Sequence, residues 1–253
     1  TLESAKIPTL NRLATKGKLG LVDVLGGIAP ESDIAVVTLL GYDPEKDYTG
    51  RGPLEAEGAG IEFKDGMLSL RCNFATSPDG VILTDRRAGR IFSLKDAMTL
   101  ADAINKKVKI PNCKFEFFPT VSHRAVLILK SKTHLSNKIT NTDPAYENIK
   151  GIPHALEKFK MMIKKSQALE DSKIARHSAN LLNDFTKESY KVLKNHQLNK
   201  LRKKNKLPEA NIILSRDAGN KRPKFQAINK KYNKKWAILA DMPLEIGIGK
   251  FAG

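Results

Sequence analysis

Between residues 67 and 76 the apolar side chains fall on alternate positions, Leu68, Leu70, Cys72 and Phe74. This period of two constrains the fold more than any other stretch of the chain. It places one face of an extended segment against a core and so predicts a half-buried β-strand. Ser77-Pro78-Asp79-Gly80 supplies a turn after it, with a further strand expected at 81–83. Ser93 is placed to cap a helix over about 94–107, with Asp96 in the first turn, where a carboxylate meets the positive end of the helix dipole. Strands are expected at 114–118 and 125–130, and another over 207–214 that brings Arg216 to its end. Helices and strands alternating on this scale point to an α/β architecture.

On the N-terminal side, Leu10, Leu13 and Ala14 fall at helical spacing and Gly17 stands where a helix would stop, so 1–18 are expected to be helical. A strand around 20–25 would lead through Gly26-Gly27 into a turn at Ser32. The apolar run 34–40 fits a helix or a buried strand equally well. A short helix over 53–60 and a strand at 60–63 are expected next. In the second half, 131–153 read as a polar loop and 156–193 as one long helix.

The chain has 253 residues, 41% of them hydrophobic, enough apolar material for a substantial core. No run approaches the ~18 apolar residues of a membrane-spanning helix, and Thr1 onward carries no signal-peptide pattern, so the expected setting is cytoplasmic, with no membrane partner. Cys72 and Cys113 make neither a disulfide framework nor a metal spacing. The net charge of +17 is uneven: 1–149 hold 20 Lys and Arg against 18 Asp and Glu, whereas 150–253 hold 24 against 9. The basic half includes Lys200-Leu-Arg202-Lys203-Lys204-Asn-Lys206 and Lys230-Lys231-Tyr232-Asn-Lys234-Lys235-Trp236. Such clusters can bind nucleic acid through phosphates and base stacking. Charge runs on helices are more often solvated faces, and a positive field equally serves a small phosphorylated substrate, so nucleic acid is not taken as the partner.

Three groups of residues could carry chemistry. Ser32-Asp33 precedes an apolar run that ends in Gly41-Tyr42-Asp43-Pro44, a pattern that suits a turn into a helix. Such a turn can hold a hydroxyl near a phosphate or a metal, although the same pattern also serves as a plain helix cap. Asp85-Arg86-Arg87-Ala88-Gly89-Arg90 puts three guanidiniums within five residues. Their forks match phosphate and carboxylate oxygens, and on composition alone they also suit a surface salt-bridge patch. His123-Arg124 precedes an apolar strand and Arg216 follows one, positions where α/β folds place ligands and where a histidine is also often structural. His134, His154, His177 and His196 show no ligand spacing.

Taken in order, these strings resemble the archaeal-type cofactor-independent phosphoglycerate mutases of the alkaline phosphatase superfamily. The matching stretches run from Thr1-Leu2-Glu3 and Pro8-Thr9-Leu10 through Ser32-Asp33, Gly41-Tyr42-Asp43-Pro44 and Gly50-Arg51-Gly52. They continue through Arg71-Cys72-Asn73-Phe74-Ala75-Thr76, Asp85-Arg86-Arg87-Ala88-Gly89-Arg90-Ile91, His123-Arg124-Ala125-Val126, Thr142-Asp143-Pro144 and Arg216-Asp217-Ala218-Gly219. Ile34, Val36, Ser122 and Ala145 depart from the family pattern. The resemblance implies a partial alkaline-phosphatase-like core with an inserted α/β phosphotransfer domain: 1–68 and 225–253 belong to the core and 69–224 to the insert. It implies that Ser32 is phosphorylated during turnover at a centre of two divalent metal ions, Mn2+ or Mg2+. Ser32 would be one metal ligand, with the other ligands outside this chain. Arg86, Arg87, Arg90, His123, Arg124 and Arg216 would bind substrate. The implied reaction interconverts 3-phosphoglycerate and 2-phosphoglycerate without 2,3-bisphosphoglycerate. The chain is accordingly expected to be an internal piece of a longer enzyme, inactive alone. Another phosphatase or phosphotransferase of the superfamily, or a noncatalytic basic binding module, stays open, as does the oligomeric state.

Overall fold

The computed structural model describes residues 4–27, 30–90, 92–149 and 151–253. Thr1-Leu2-Glu3, which open the first expected helix, Ile91 of the arginine motif and Lys150 of the expected polar loop lie outside the described residues. The first half contains α1 (Pro8–Lys16), α2 (Ser32–Leu39), α3 (Pro44–Asp47), α4 (Arg51–Gly58), β1 (Leu68–Ala75), α5 (Leu94–Lys107), β2 (Cys113–Pro119) and β3 (Arg124–Ser131). The second half contains β4 (Tyr146–Ile149), β5 (Ile152–Ala155), α6 (Lys173–Lys194), α7 (Gln197–Lys204), β6 (Ile212–Gly219), α8 (Ile228–Tyr232) and α9 (Pro243–Ala252).

The alternating segment forms β1, an inner strand of an antiparallel sheet in the order β2-β3-β1-β6. Leu68, Leu70, Cys72 and Phe74 point to one face, into a core shared with Leu100 and Ile104 of α5 and Leu182 and Phe185 of α6. The other face is covered as well, so β1 is buried along its whole length rather than half-buried. The cause is α4, which lies so close that a Cβ on Gly52 would meet the Ser69 carbonyl oxygen at 2.1 Å. Helix α9 packs on α4 just as closely: a Cβ on Gly247 would lie 1.9 Å from the Leu54 carbonyl oxygen. A second core of Val37, Tyr42, Leu54, Leu244 and Ile248 fills the space among α2, α4 and α9.

Several expectations are corrected. Helix α1 covers only Pro8–Lys16, has no buried residue and ends at Gly17 in an extended conformation. Residues 20–25 form no strand, because a strand needs a hydrogen-bonded neighbour and none among the described residues pairs with them; Leu21 is 104% exposed. Residues 61–63 are likewise irregular, and 81–83 contribute only the single bridge Ile82–Met162. The long helix does not begin at 156. Its N-cap is Ser172, whose side chain accepts from Ala175 N. Upstream, the backbone bonds sideways, Ile163 N to Val81 O at 2.9 Å and Lys164 N to Thr142 O at 3.0 Å, in place of closing helical turns. The expected polar loop contains the β4–β5 hairpin, and β6 continues through Arg216 to Gly219 with Asp217 at φ 54°. The run at 34–40, open between helix and strand, is helical.

Candidate functional site

Ser32 is the first residue of α2. The N-cap is Glu31, and no side chain caps the helix, so the Ser32 hydroxyl is not consumed in capping. Its Oγ instead accepts a long contact of 3.5 Å from Arg51 Nη1, at the start of α4. The neighbouring Asp33 is fully buried and accepts from the Tyr48 hydroxyl.

Strand register sets the rest of the site. Ser69, Arg71 and Asn73 occupy the face of β1 opposite the apolar core. Arg71 stands directly across from Arg216 on β6, and Asn73 across from Arg124 on β3. His123, just before β3, is tied to the end of β1 by Phe74 N donating to its carbonyl at 2.8 Å. The turn carrying Arg87 and Arg90 passes through left-handed conformations at Ala88, Gly89 and Arg90, with φ of 47°, 74° and 58°. Together these elements enclose a cavity of about 480 Å³. Ser32, Arg87, Arg90, His123, Arg124 and Arg216 all line it, joined by Glu31, Arg51, Arg71, Asn73, Tyr146 and Met242.

Arg86 is elsewhere. Its guanidinium forks onto Asp143 with bonds of 2.8 and 2.7 Å, between the rings of Tyr146 and Phe159, and it does not line the Ser32 cavity. Arg51, Arg71 and Asn73 are among the lining residues that carried no assigned role in the sequence. The signal for the last two is the β1 alternation itself: polar residues on the off-phase positions of a strand buried on both faces.

Six guanidiniums line the cavity, and Glu31 on the lining with Asp33, Glu55 and Asp217 behind it offset part of their charge, which leaves the site net positive. Burial, opposed by Glu55, and the neighbouring Arg51, Arg216 and Arg124 push Arg71 down to about 10. Burial, then Arg124, Arg71 and Arg87, push His123 down to about 4, so its imidazole is neutral at pH 7 and can both donate and accept. Like charges placed directly across a sheet repel, and here they are also desolvated, so the arrangement is suited to an anion. Arg71 Nε, Arg216 Nε and Asn73 Oδ1 are buried without a hydrogen-bond partner.

A metal ion fits less well. No group of three or more His, Cys, Asp or Glu converges among the described residues. The Ser32 oxygen faces a guanidinium, so these residues alone do not make a site for a divalent cation. A larger cavity of about 760 Å³ lies beyond Tyr48 and Asp217 and contains none of the residues singled out for substrate.

Residues 14–199 match a family profile described as 2,3-bisphosphoglycerate-independent phosphoglycerate mutase. The protein of that name from Aeropyrum pernix is 41% identical along the whole chain, which covers 61% of it. The one from Methanosphaera stadtmanae is 40% identical, again along the whole chain, which covers 58% of it. The chain thus spans less than two thirds of the length of these relatives. A cofactor-independent phosphoglycerate mutase structure from Thermoplasma acidophilum superposes with a TM-score of 0.60 at 32% identity, over 89% of this chain and 56% of that one. A Pyrococcus horikoshii structure at 24% identity shares the fold, with a TM-score of 0.65 over 100% of this chain and 54% of that one. On the profile match and the 41% identity, the chain belongs to the 2,3-bisphosphoglycerate-independent phosphoglycerate mutase family.

Proposed function

We propose that the protein interconverts 3-phosphoglycerate and 2-phosphoglycerate by passing the phosphoryl group through Ser32. The observation that carries this reading is the Ser32 hydroxyl at a helix start, beside a cavity lined by six arginines. The substrate brings a phosphate and a carboxylate, the two groups that guanidinium forks recognise. Arg51 reaches Ser32 directly, and Arg71 is tied to Arg51 through Glu55. Arg87, Arg90, His123, Arg124 and Arg216 complete the grip, and Arg86 packs on the Tyr146 ring that Arg216 also covers.

In the proposed step Ser32 Oγ bonds to phosphorus, the bond from phosphorus to the glycerate oxygen breaks, and the serine proton ends on the released glycerate hydroxyl. The glycerate turns within the cavity. Its other hydroxyl then attacks phosphoserine, and the proton returns to Ser32. Because the serine stores the phosphoryl group, 2,3-bisphosphoglycerate is not needed. Water must be kept out, since hydrolysis of phosphoserine would make the protein a phosphatase. The two divalent ions implied by the resemblance, Mn2+ or Mg2+, would have Ser32 as one ligand and the rest outside this chain.

The same proposal takes 1–68 and 225–253 as parts of a phosphatase-like core and 69–224 as the inserted phosphotransfer domain. Packing of α9 on α4 supports grouping the two outer segments. It also takes the setting as cytoplasmic. No helix among the described residues is long and apolar enough to cross a membrane.

The test is Ser32→Ala in the complete enzyme. Turnover of 3-phosphoglycerate should be lost with the fold intact, because alanine is favourable at a first helical position. Retention of more than a small fraction of wild-type turnover would remove Ser32 from the mechanism, and release of inorganic phosphate in place of 2-phosphoglycerate by the wild type would make it a phosphatase.

A further inference from the structure

Glu55 lies on α4, one helical turn beyond Arg51, and is 2% exposed. A single oxygen, Oε1, accepts from Arg51 Nε at 2.7 Å and also from Arg71 Nη1. Both arginines line the cavity at Ser32, whereas Glu55 does not. We propose that Glu55 is a positioning residue that holds Arg51 and Arg71 together as one clamp for the phosphoryl group beside Ser32.

Arg71 stands directly opposite Arg216 on the sheet, and Arg51 approaches the same cavity from the start of α4. Arg216 is paired with Asp217 and lies 3.7 Å from Glu31, whereas Arg51 and Arg71 share Glu55, whose charge offsets the repulsion between those two buried guanidiniums. Burial by itself would raise the Glu55 carboxyl, but Arg71 and Arg51 hold it below the usual carboxylate range, so it carries its charge. By engaging Arg51 through Nε, Glu55 leaves Nη1 to reach Ser32 Oγ at 3.5 Å. Arg71 Nε and Arg216 Nε lack acceptors, and phosphate oxygens would supply them. The inference rests on the proposed phosphoryl transfer for the identity of the anion; the geometry stands without it.

Charge and positioning make opposite predictions for Glu55→Gln in the complete enzyme. Removing a negative charge from a cationic site should tighten anion binding if Glu55 is only a counter-charge. Loss of the clamp should weaken it. Calorimetric titration with inorganic phosphate, with near-UV circular dichroism to confirm the fold, should show roughly 10-fold weaker binding in Glu55→Gln. In an Arg71→Met background the effect of Glu55→Gln should shrink by at least about half, as expected for residues that act through one another. Unchanged or tighter phosphate binding, a full-size effect without Arg71, or a wild type that does not bind phosphate would overturn the clamp. If Glu55→Gln does not fold, Glu55→Asp decides: it keeps the charge but shortens the reach, and unchanged phosphate affinity there overturns the proposal. A wild type that binds phosphate without interconverting the phosphoglycerates refutes the reaction and leaves the clamp to be judged on affinity alone.

Discussion

The arginines of this protein divide by what already holds them. Arg87 and Arg90 line the cavity, and the proposal has them meet substrate oxygens with their forks. Arg87→Lys or Arg90→Lys keeps the charge and loses bidentate geometry, so at least one should lower kcat/KM about 10-fold or more, equivalent to ~1.4 kcal/mol. Substrate kinetics indistinguishable from wild type in both would mark the pair as structural. Arg86 is a different case, because Asp143 is 1% exposed and depends on it. Arg86→Met leaves that carboxylate buried and unpaired, and should cost about 3 kcal/mol or more in denaturant unfolding. A loss near zero would show that the fork contributes nothing. His123 gives a pH signature. Its folded-state value, about 4, lies below the ordinary 6.5, so the unfolded chain binds the extra proton between those values and this contribution is lost as pH falls from 6.5 towards 4. Asp217, raised to about 6 by burial against the pull of Arg216, acts in the opposite sense over 3.8 to 6. The clean measurement is therefore a difference: His123→Asn should gain stability relative to wild type as pH drops from 6.5 to 4, and a constant difference would contradict the assignment. Of the residues read from the sequence as substrate-binding, Arg87, Arg90, His123, Arg124 and Arg216 share one cavity with Ser32, while Arg86 lies outside it. Arg51 carried no signal like the β1 alternation that marks Arg71, and that it meets Arg71 is decided only by the docking of α4 on β1.

Elements with a local code, such as β1 with its period of two and α5 with its Ser93 cap, were readable from the sequence. Those defined by remote partners were not. Residues 156–172 have apolar and basic composition compatible with a helix, yet their backbone groups pair with Val81, Thr140 and Thr142, contacts that no local pattern encodes. The β4–β5 hairpin turns at Gly151, φ 88°, within a stretch that reads as loop. The element that matters most for the site is α4, which carries both Arg51 and Glu55. Its approach to β1 depends on Gly52. Gly52→Ala must lift the helix from the strand and should destabilise the protein by about 2 kcal/mol or more, in the range of overpacked cores. It should also weaken phosphate binding by displacing Arg51. A variant as stable as wild type would mean that the helix–strand contact is looser than described.

At the scale of the whole molecule, a cavity lined by six arginines sits in a chain of net charge +17. A field of that sign attracts a polyanionic substrate and is screened by salt, with a Debye length of ~10 Å at 0.1 M. KM for 3-phosphoglycerate should therefore rise with ionic strength while kcat changes less, and a salt-independent KM would show that the basic half plays no part in substrate capture. The central claim is that Ser32 carries the phosphoryl group between the two hydroxyls of glycerate. The most direct measurement is acid quench of the complete enzyme during turnover of 3-phosphoglycerate, followed by peptide mapping by mass spectrometry. One phosphoryl group on the peptide containing Ser32, absent in Ser32→Ala, is the predicted result. Turnover with that peptide unmodified, or with the phosphoryl group on another residue, would contradict it.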